Sequence, residues 1–153
     1  MQAHAAVQHR CSALVVDDDA DMRELLRVAL TGDGYHVSTV GNGRDALHHL
    51  RSHADTCIIV LDLMLPVMDG IQFRTAQLRD RSIAWIPVVV MSAVEDDGRR
   101  ARELGARRFI RKPLDLDEVR SALRHIGCCQ ARPRQSLAGA AARPTRRRPP
   151  ELH

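Results

Sequence analysis

The sequence predicts an α/β fold, a doubly wound, five-stranded parallel sheet with helices on both faces. Three observations carry that expectation. Aliphatic runs at 13–16, 57–61 and 86–91 lack the alternation of a half-exposed strand and match strands buried on both faces. Segments with apolar residues at helical spacing separate the runs, so that strand and helix alternate along the chain. Each of these runs also gives way to an acidic or small polar residue, which places such residues at the carboxyl edge of the sheet, where open α/β folds gather their ligands.

Size and composition narrow the field. The chain has 153 residues and 44% hydrophobic content, enough for one core. It contains no run of about 18 apolar residues. Residues 1–12 lack an apolar stretch behind a basic one, so a cytoplasmic protein without a membrane span is expected. Cys11, Cys57, Cys128 and Cys129 show no C-x-x-C spacing, and neither a disulfide nor a zinc site is expected of them. Charge is segregated: from Cys128 onward six arginines face one acid, so the tail carries +5, and a whole-chain charge of +4 leaves −1 for the rest. Of 23 basic residues, 22 are arginine and one is Lys112. In so arginine-rich a chain, a lone lysine marks a position that needs a compact ammonium on a flexible stem and not a planar fork.

Taken in order, residues 13–16 form a first strand that runs into Asp17, Asp18 and Asp19. Apolar residues at 22, 25, 26, 29 and 30 define a helix face, with Asp19 and Asp21 at its positive end and Gly32 and Gly34 closing it. Residues 35–40 are the second strand, Gly41-Asn42-Gly43 turns the chain, and 44–52 are helical. The third strand, 57–61, leads into Asp62 and a loop punctuated by Pro66 and Gly70; a weaker helix follows to about residue 79. Residues 86–91 form the fourth strand, ending at Ser92-Ala93. Residues 95–104 are helical, although Gly98 costs that helix about 1 kcal/mol relative to alanine. Residues 107–111 are mostly polar, suited to a sheet edge, and lead to Lys112-Pro113. Asp115 and Glu118 have the spacing of a capping box, and Leu116, Val119, Leu123 and Ile126 line the last helix before Gly127. The domain therefore spans 12–127, between a short N-terminal extension at 1–11 and an Arg/Pro/Ala-rich basic tail at 128–153 expected to be disordered.

The marked strand ends, Val16-Asp17-Asp18, Leu61-Asp62 with Pro66-x-x-Asp69-Gly70, Met91-Ser92-Ala93 and Lys112-Pro113, resemble the receiver domain of two-component response regulators, over essentially all of 12–127. The resemblance implies a flavodoxin-like strand order of 2-1-3-4-5, which brings these ends into one pocket. It implies that Asp62 accepts a phosphoryl group from a histidine kinase or phosphotransfer protein, and that Asp17, Asp18, Asp62 and the Met64 backbone carbonyl hold Mg²⁺ (or Mn²⁺). Lys112 and Ser92 would contact the phosphoryl group. Ser92 and Phe109 would form the switch, Phe109 lacking the hydroxyl a tyrosine would bring there. Met64 and Val94 stand where the family tunes hydrolysis of the acyl phosphate. Clustered carboxylates demand a cation on physical grounds as well, since they raise one another's pKa unless neutralised, and oxygen-only ligands suit Mg²⁺.

Singly, each residue has an ordinary reading: Asp17 to Asp19 as a helix N-terminus, Asp62 as a turn residue, Ser92 as a strand-end serine, Lys112 as a surface charge. Their joint placement at strand ends is what those readings leave unexplained. His49 and His53 lie four apart, but no third residue is spaced to complete a metal site. Only 26 residues follow Gly127, so a stand-alone receiver is expected, signalling to a protein partner through its fourth helix, fifth strand and fifth helix. Two alternatives stand beside it. A receiver-regulated binder of nucleic acid or an acidic partner would act through the tail arginines at 143–148. A phosphatase with an aspartate nucleophile needs a second acid two residues on, where this chain has Met64.

Overall fold

The structure is a computed structural model that describes residues 11–127 apart from Asp96. The expected basic tail and all but the last residue of the N-terminal extension lie outside the described residues. The elements alternate as β1 (Ser12–Val16), α1 (Ala20–Gly32), β2 (His36–Val40), α2 (Gly43–Ser52), β3 (Thr56–Asp62), α3 (Gly70–Arg79), β4 (Val88–Ser92), α4 (Asp97–Glu103), β5 (Arg108–Arg111) and α5 (Leu116–Ile126). The five strands pair in parallel in the order β2-β1-β3-β4-β5.

Side-chain alternation along the central strands divides the core in two. Leu14, Val16, Ile59, Leu61, Val88 and Val90 face Ala46, Leu47 and Leu50 of α2, Phe73 of α3 and Ala101 of α4. Ala13, Val15, Ile58, Val60, Val89 and Met91 face Leu26 and Leu30 of α1 and Val119, Ala122 and Leu123 of α5. With both faces covered, β1, β3 and β4 need apolar residues at nearly every position, hence their unbroken aliphatic runs. Among the described residues β5 pairs only with β4, and its Arg108 and Arg111 are exposed while Ile110 is buried, as expected of an edge strand.

Several local expectations change. α4 is shorter than 95–104, since its first turn starts only at Asp97. At α5, Asp115 does cap the helix, but its side chain accepts from the Asp117 N–H, with no reciprocal bond from Glu118. The capping box lies at α3, where the Asp69 side chain accepts from the Gln72 N–H at 2.8 Å and the Asp69 N–H donates to the Gln72 side chain at 3.1 Å. Cys57 is a free thiol, but Cys11 is disulfide-bonded, contrary to the spacing argument. Spacing tests only cysteines near one another in sequence and is silent on distant ones. No described helix is long and apolar enough to cross a membrane.

Candidate functional site

Strand endings build the site. Asp62 is the last residue of β3, and Asp17 follows β1 directly; both are buried, at 4% and 0% exposure, while Asp18 is exposed. Lys112 follows β5 and closes the cluster: its Nζ donates to Asp62 Oδ2 at 2.8 Å and to Asp17 Oδ2 at 2.9 Å. The Lys112-Pro113 peptide bond is cis. The remaining oxygens of the two buried carboxylates take backbone donors, Asp62 Oδ1 from the Met64 N–H at 3.0 Å and Asp17 Oδ1 from the Asp19 N–H at 2.9 Å.

The loop after β3 is pinned from two sides. A Cβ on Gly70 would stand 2.6 Å from the Asp62 carbonyl oxygen, and one on Gly43 would stand 2.7 Å from that of Met68, so both positions require glycine. The pinned loop and the α4 side chains flank a cleft of about 450 Å³ that Asp18, Met64, Asp69, Asp97 and Arg100 help to line.

Asp17, Asp18 and Asp62 bring carboxylate oxygens within 4.8 Å of one another. One ammonium against three carboxylates leaves negative charge to be neutralised, and an all-oxygen donor set with an exposed member fits a hard divalent cation. Burial pushes the Asp62 carboxyl above the usual carboxylate range, against the bonds from Lys112 and the Met64 N–H, and the Asp17 charge adds to the rise. Burial pulls the Lys112 ammonium down, yet its bonds to Asp62 and Asp17 outweigh that and hold its pKa above the ordinary value. Both directions describe a cluster short of positive charge.

The chain belongs to the response regulator receiver domain family, whose model matches residues 13–124. Among curated relatives, the receiver is 39% identical over 115 residues to the transcriptional regulatory protein TcrA of Mycobacterium tuberculosis, covering 74% of this chain and 44% of that protein. It is 36% identical over 115 residues to the probable transcriptional regulator ycf27 of Cyanidium caldarium, covering 74% and 45%. The chain therefore spans less than half the length of these relatives. Among solved structures, the receiver domain of a signal transduction histidine kinase from Syntrophus aciditrophicus superposes with a TM-score of 0.70 at 28% identity, over 76% of this chain and 89% of that one. The chemotaxis response regulator CheY4 of Vibrio cholerae shares the fold, with a TM-score of 0.71 at 24% identity over 76% and 98%.

The remaining sequence candidates lie around this cluster. Ser92 ends β4 at 1% exposure; its hydroxyl donates to Asp97 Oδ2 and accepts the Val94 N–H at 3.2 Å. Its carbonyl accepts the Lys112 N–H at 2.9 Å, tying the ends of β4 and β5 together. Phe109 is half-buried on β5, with its ring beside Gly98 of α4. Met64 and Val94 are exposed. His49 and His53 stack ring on ring, centroids 4.2 Å apart at 12°, and no metal-ligating third residue joins them among the described residues. Sequence reasoning missed Asp97, which one acid among Glu95, Asp96 and Asp97 gave no means to single out.

Proposed function

We propose that this receiver is a phosphoacceptor switch in which Asp62 takes a phosphoryl group from the phosphohistidine of a sensor histidine kinase or phosphotransfer protein. An Asp62 carboxylate oxygen forms the new bond to phosphorus as the nitrogen–phosphorus bond breaks, and the departing imidazole recovers its lone pair. The observation that carries this reading is Lys112 joined to both Asp62 and Asp17, with Asp18 in reach, where the ends of three strands meet. Asp17, Asp18 and Asp62, with the Met64 carbonyl, would hold Mg²⁺, which supplies neutralisation of charge on the transferring group. Phosphoryl transfer spreads charge over three equatorial oxygens and depends on positioning and charge stabilisation. Lys112 is a point charge suited to one of those oxygens, and Ser92 has a hydroxyl to give to another.

The output we assign to the α4-β5-α5 face. In support, a groove of about 410 Å³ between α4 and β5 is lined by Gly98, Ala101, Arg102, Arg107, Arg108 and Phe109. Gly98 and the Phe109 ring, which lie against each other, both line it, so a shift of the start of α4 would change its shape.

Titrating the protein with beryllofluoride, a phosphoryl mimic, while recording backbone amide shifts tests the assignment. Binding is expected only with Mg²⁺ present, with shifts at residues 92–111 and loss of binding in Asp18→Asn. Equal binding without a divalent cation would overturn the metal assignment.

A further inference from the structure

Ser92 has one hydroxyl proton, and the structure shows it already committed. The hydroxyl donates to Asp97 Oδ2, and its oxygen accepts from the Val94 N–H. Asp97 is a carboxylate at 3% exposure, set at the first turn of α4. Its other oxygen faces the Arg100 guanidinium at 4.0 Å, one turn on, from a side chain that is 55% exposed and free to approach. A hydroxyl can give its proton to one strong acceptor at a time. If Asp62 is phosphorylated, two anions therefore compete for the Ser92 proton: the phosphoryl oxygens on one side and the Asp97 carboxylate on the other.

We propose that Asp97 is a positioning residue that withholds the Ser92 hydroxyl from the phosphoryl group and sets how far the switch is thrown at a given level of phosphorylation. The proposal rests on the reading of Asp62 as the phosphoacceptor. When the hydroxyl turns to the phosphoryl group, Asp97 is left as a buried carboxylate whose nearest remaining cation is Arg100, and the two draw together. A buried charge deprived of its partner is costly, so this exchange opposes activation, and Arg100 limits the opposition. The exchange takes place in the first turn of a seven-residue helix, with Gly98 next to Asp97 and the Phe109 ring against that glycine. Partner exchange at Asp97 thus moves the end of α4 that touches Phe109, and the groove beside it.

The test is beryllofluoride titration of the full chain with Mg²⁺, followed by backbone amide shifts. Asp97→Asn removes the competing charge, and its amide can donate to the Ser92 oxygen, which frees the proton; binding is expected to tighten roughly tenfold, the scale of one charge-assisted hydrogen bond. The tightening should vanish in the Ser92→Ala background. Arg100→Ala, an exposed change that leaves the core intact, should weaken wild-type binding by roughly threefold and have no effect once Asp97 is Asn. If wild type binds while Asp97→Asn binds equally or more weakly, or if the tightening survives without the Ser92 hydroxyl, the proposal is overturned and the phosphoacceptor reading stands. If wild type shows no binding in Mg²⁺, that reading fails and this proposal fails with it.

Discussion

Lys112 Nζ stands between two carboxylates nearly inaccessible to water, and burial holds one of them, Asp62, above the usual carboxylate range. A carboxyl raised in the native state binds more protons there than in the unfolded chain, so it lowers stability as pH climbs from its unfolded value through its folded one. Asp62→Asn removes that penalty and keeps an oxygen for the Lys112 ammonium. The variant should melt above wild type at pH 7, with the gap closing as the pH falls through the raised folded-state value of the wild-type carboxyl toward its ordinary unfolded one. A gap that widens on acidification would contradict the assignment. Val67, in the loop beside Asp62, has φ at 66°, in the left-handed region that a β-branched side chain rarely adopts, and its side chain is exposed. Val67→Asn should therefore raise stability by about 1 kcal/mol in urea unfolding. A lower urea midpoint would show that the valine makes a contact worth more than its strain.

Among the elements, α3 shows why sequence pattern reads some helices well and others poorly. Its buried face includes Arg74 and Gln77: the Arg74 guanidinium donates to the Leu104 carbonyl at 2.9 Å and the Gly105 carbonyl at 3.3 Å, and Gln77 Nε2 donates to the Ile83 and Ile86 carbonyls. Two polar residues on the inner face blur the apolar stripe, which is why the sequence pattern marks α3 as weak. Its start is nonetheless fixed by the Asp69/Gln72 capping box and the close approach of Gly70 to the β3 exit. Gly70→Ala should cost about 2–3 kcal/mol, because the contacts at 2.6 Å are with backbone that cannot step aside. A loss under about 0.5 kcal/mol on chemical unfolding, the size of an ordinary surface substitution, would mean that the loop relaxes. The strands were legible because β1, β3 and β4 are buried on both faces, with errors confined to their ends. Ile86 and Pro87 precede β4, whose paired residues begin at Val88, and Asp62 proves to be the last residue of β3 and not the first beyond it. The end of α4 was not legible, since what fixes Asp97 is a bond to a serine on another element.

Over the whole molecule, the ends of β1, β3, β4 and β5 converge because the sheet is parallel and ordered β2-β1-β3-β4-β5, so residues as distant in sequence as Asp17 and Lys112 meet within hydrogen-bonding distance. The position of the site was thus readable from Asp17, Asp62, Ser92 and Lys112 once each was recognised as ending a strand. Which hydrogen bond each makes was not readable, because local sequence does not encode partners that only the fold supplies. The central claim is that this convergence makes Asp62 the phosphoacceptor. The most direct test is intact-mass spectrometry after incubation with acetyl phosphate and Mg²⁺, on wild type and on Asp62→Asn. The expected result is a mass gain of one phosphoryl group in wild type that does not form when the metal is chelated before the donor is added and is absent from Asp62→Asn. The same gain in the asparagine variant would place the phosphoryl group elsewhere and contradict the account.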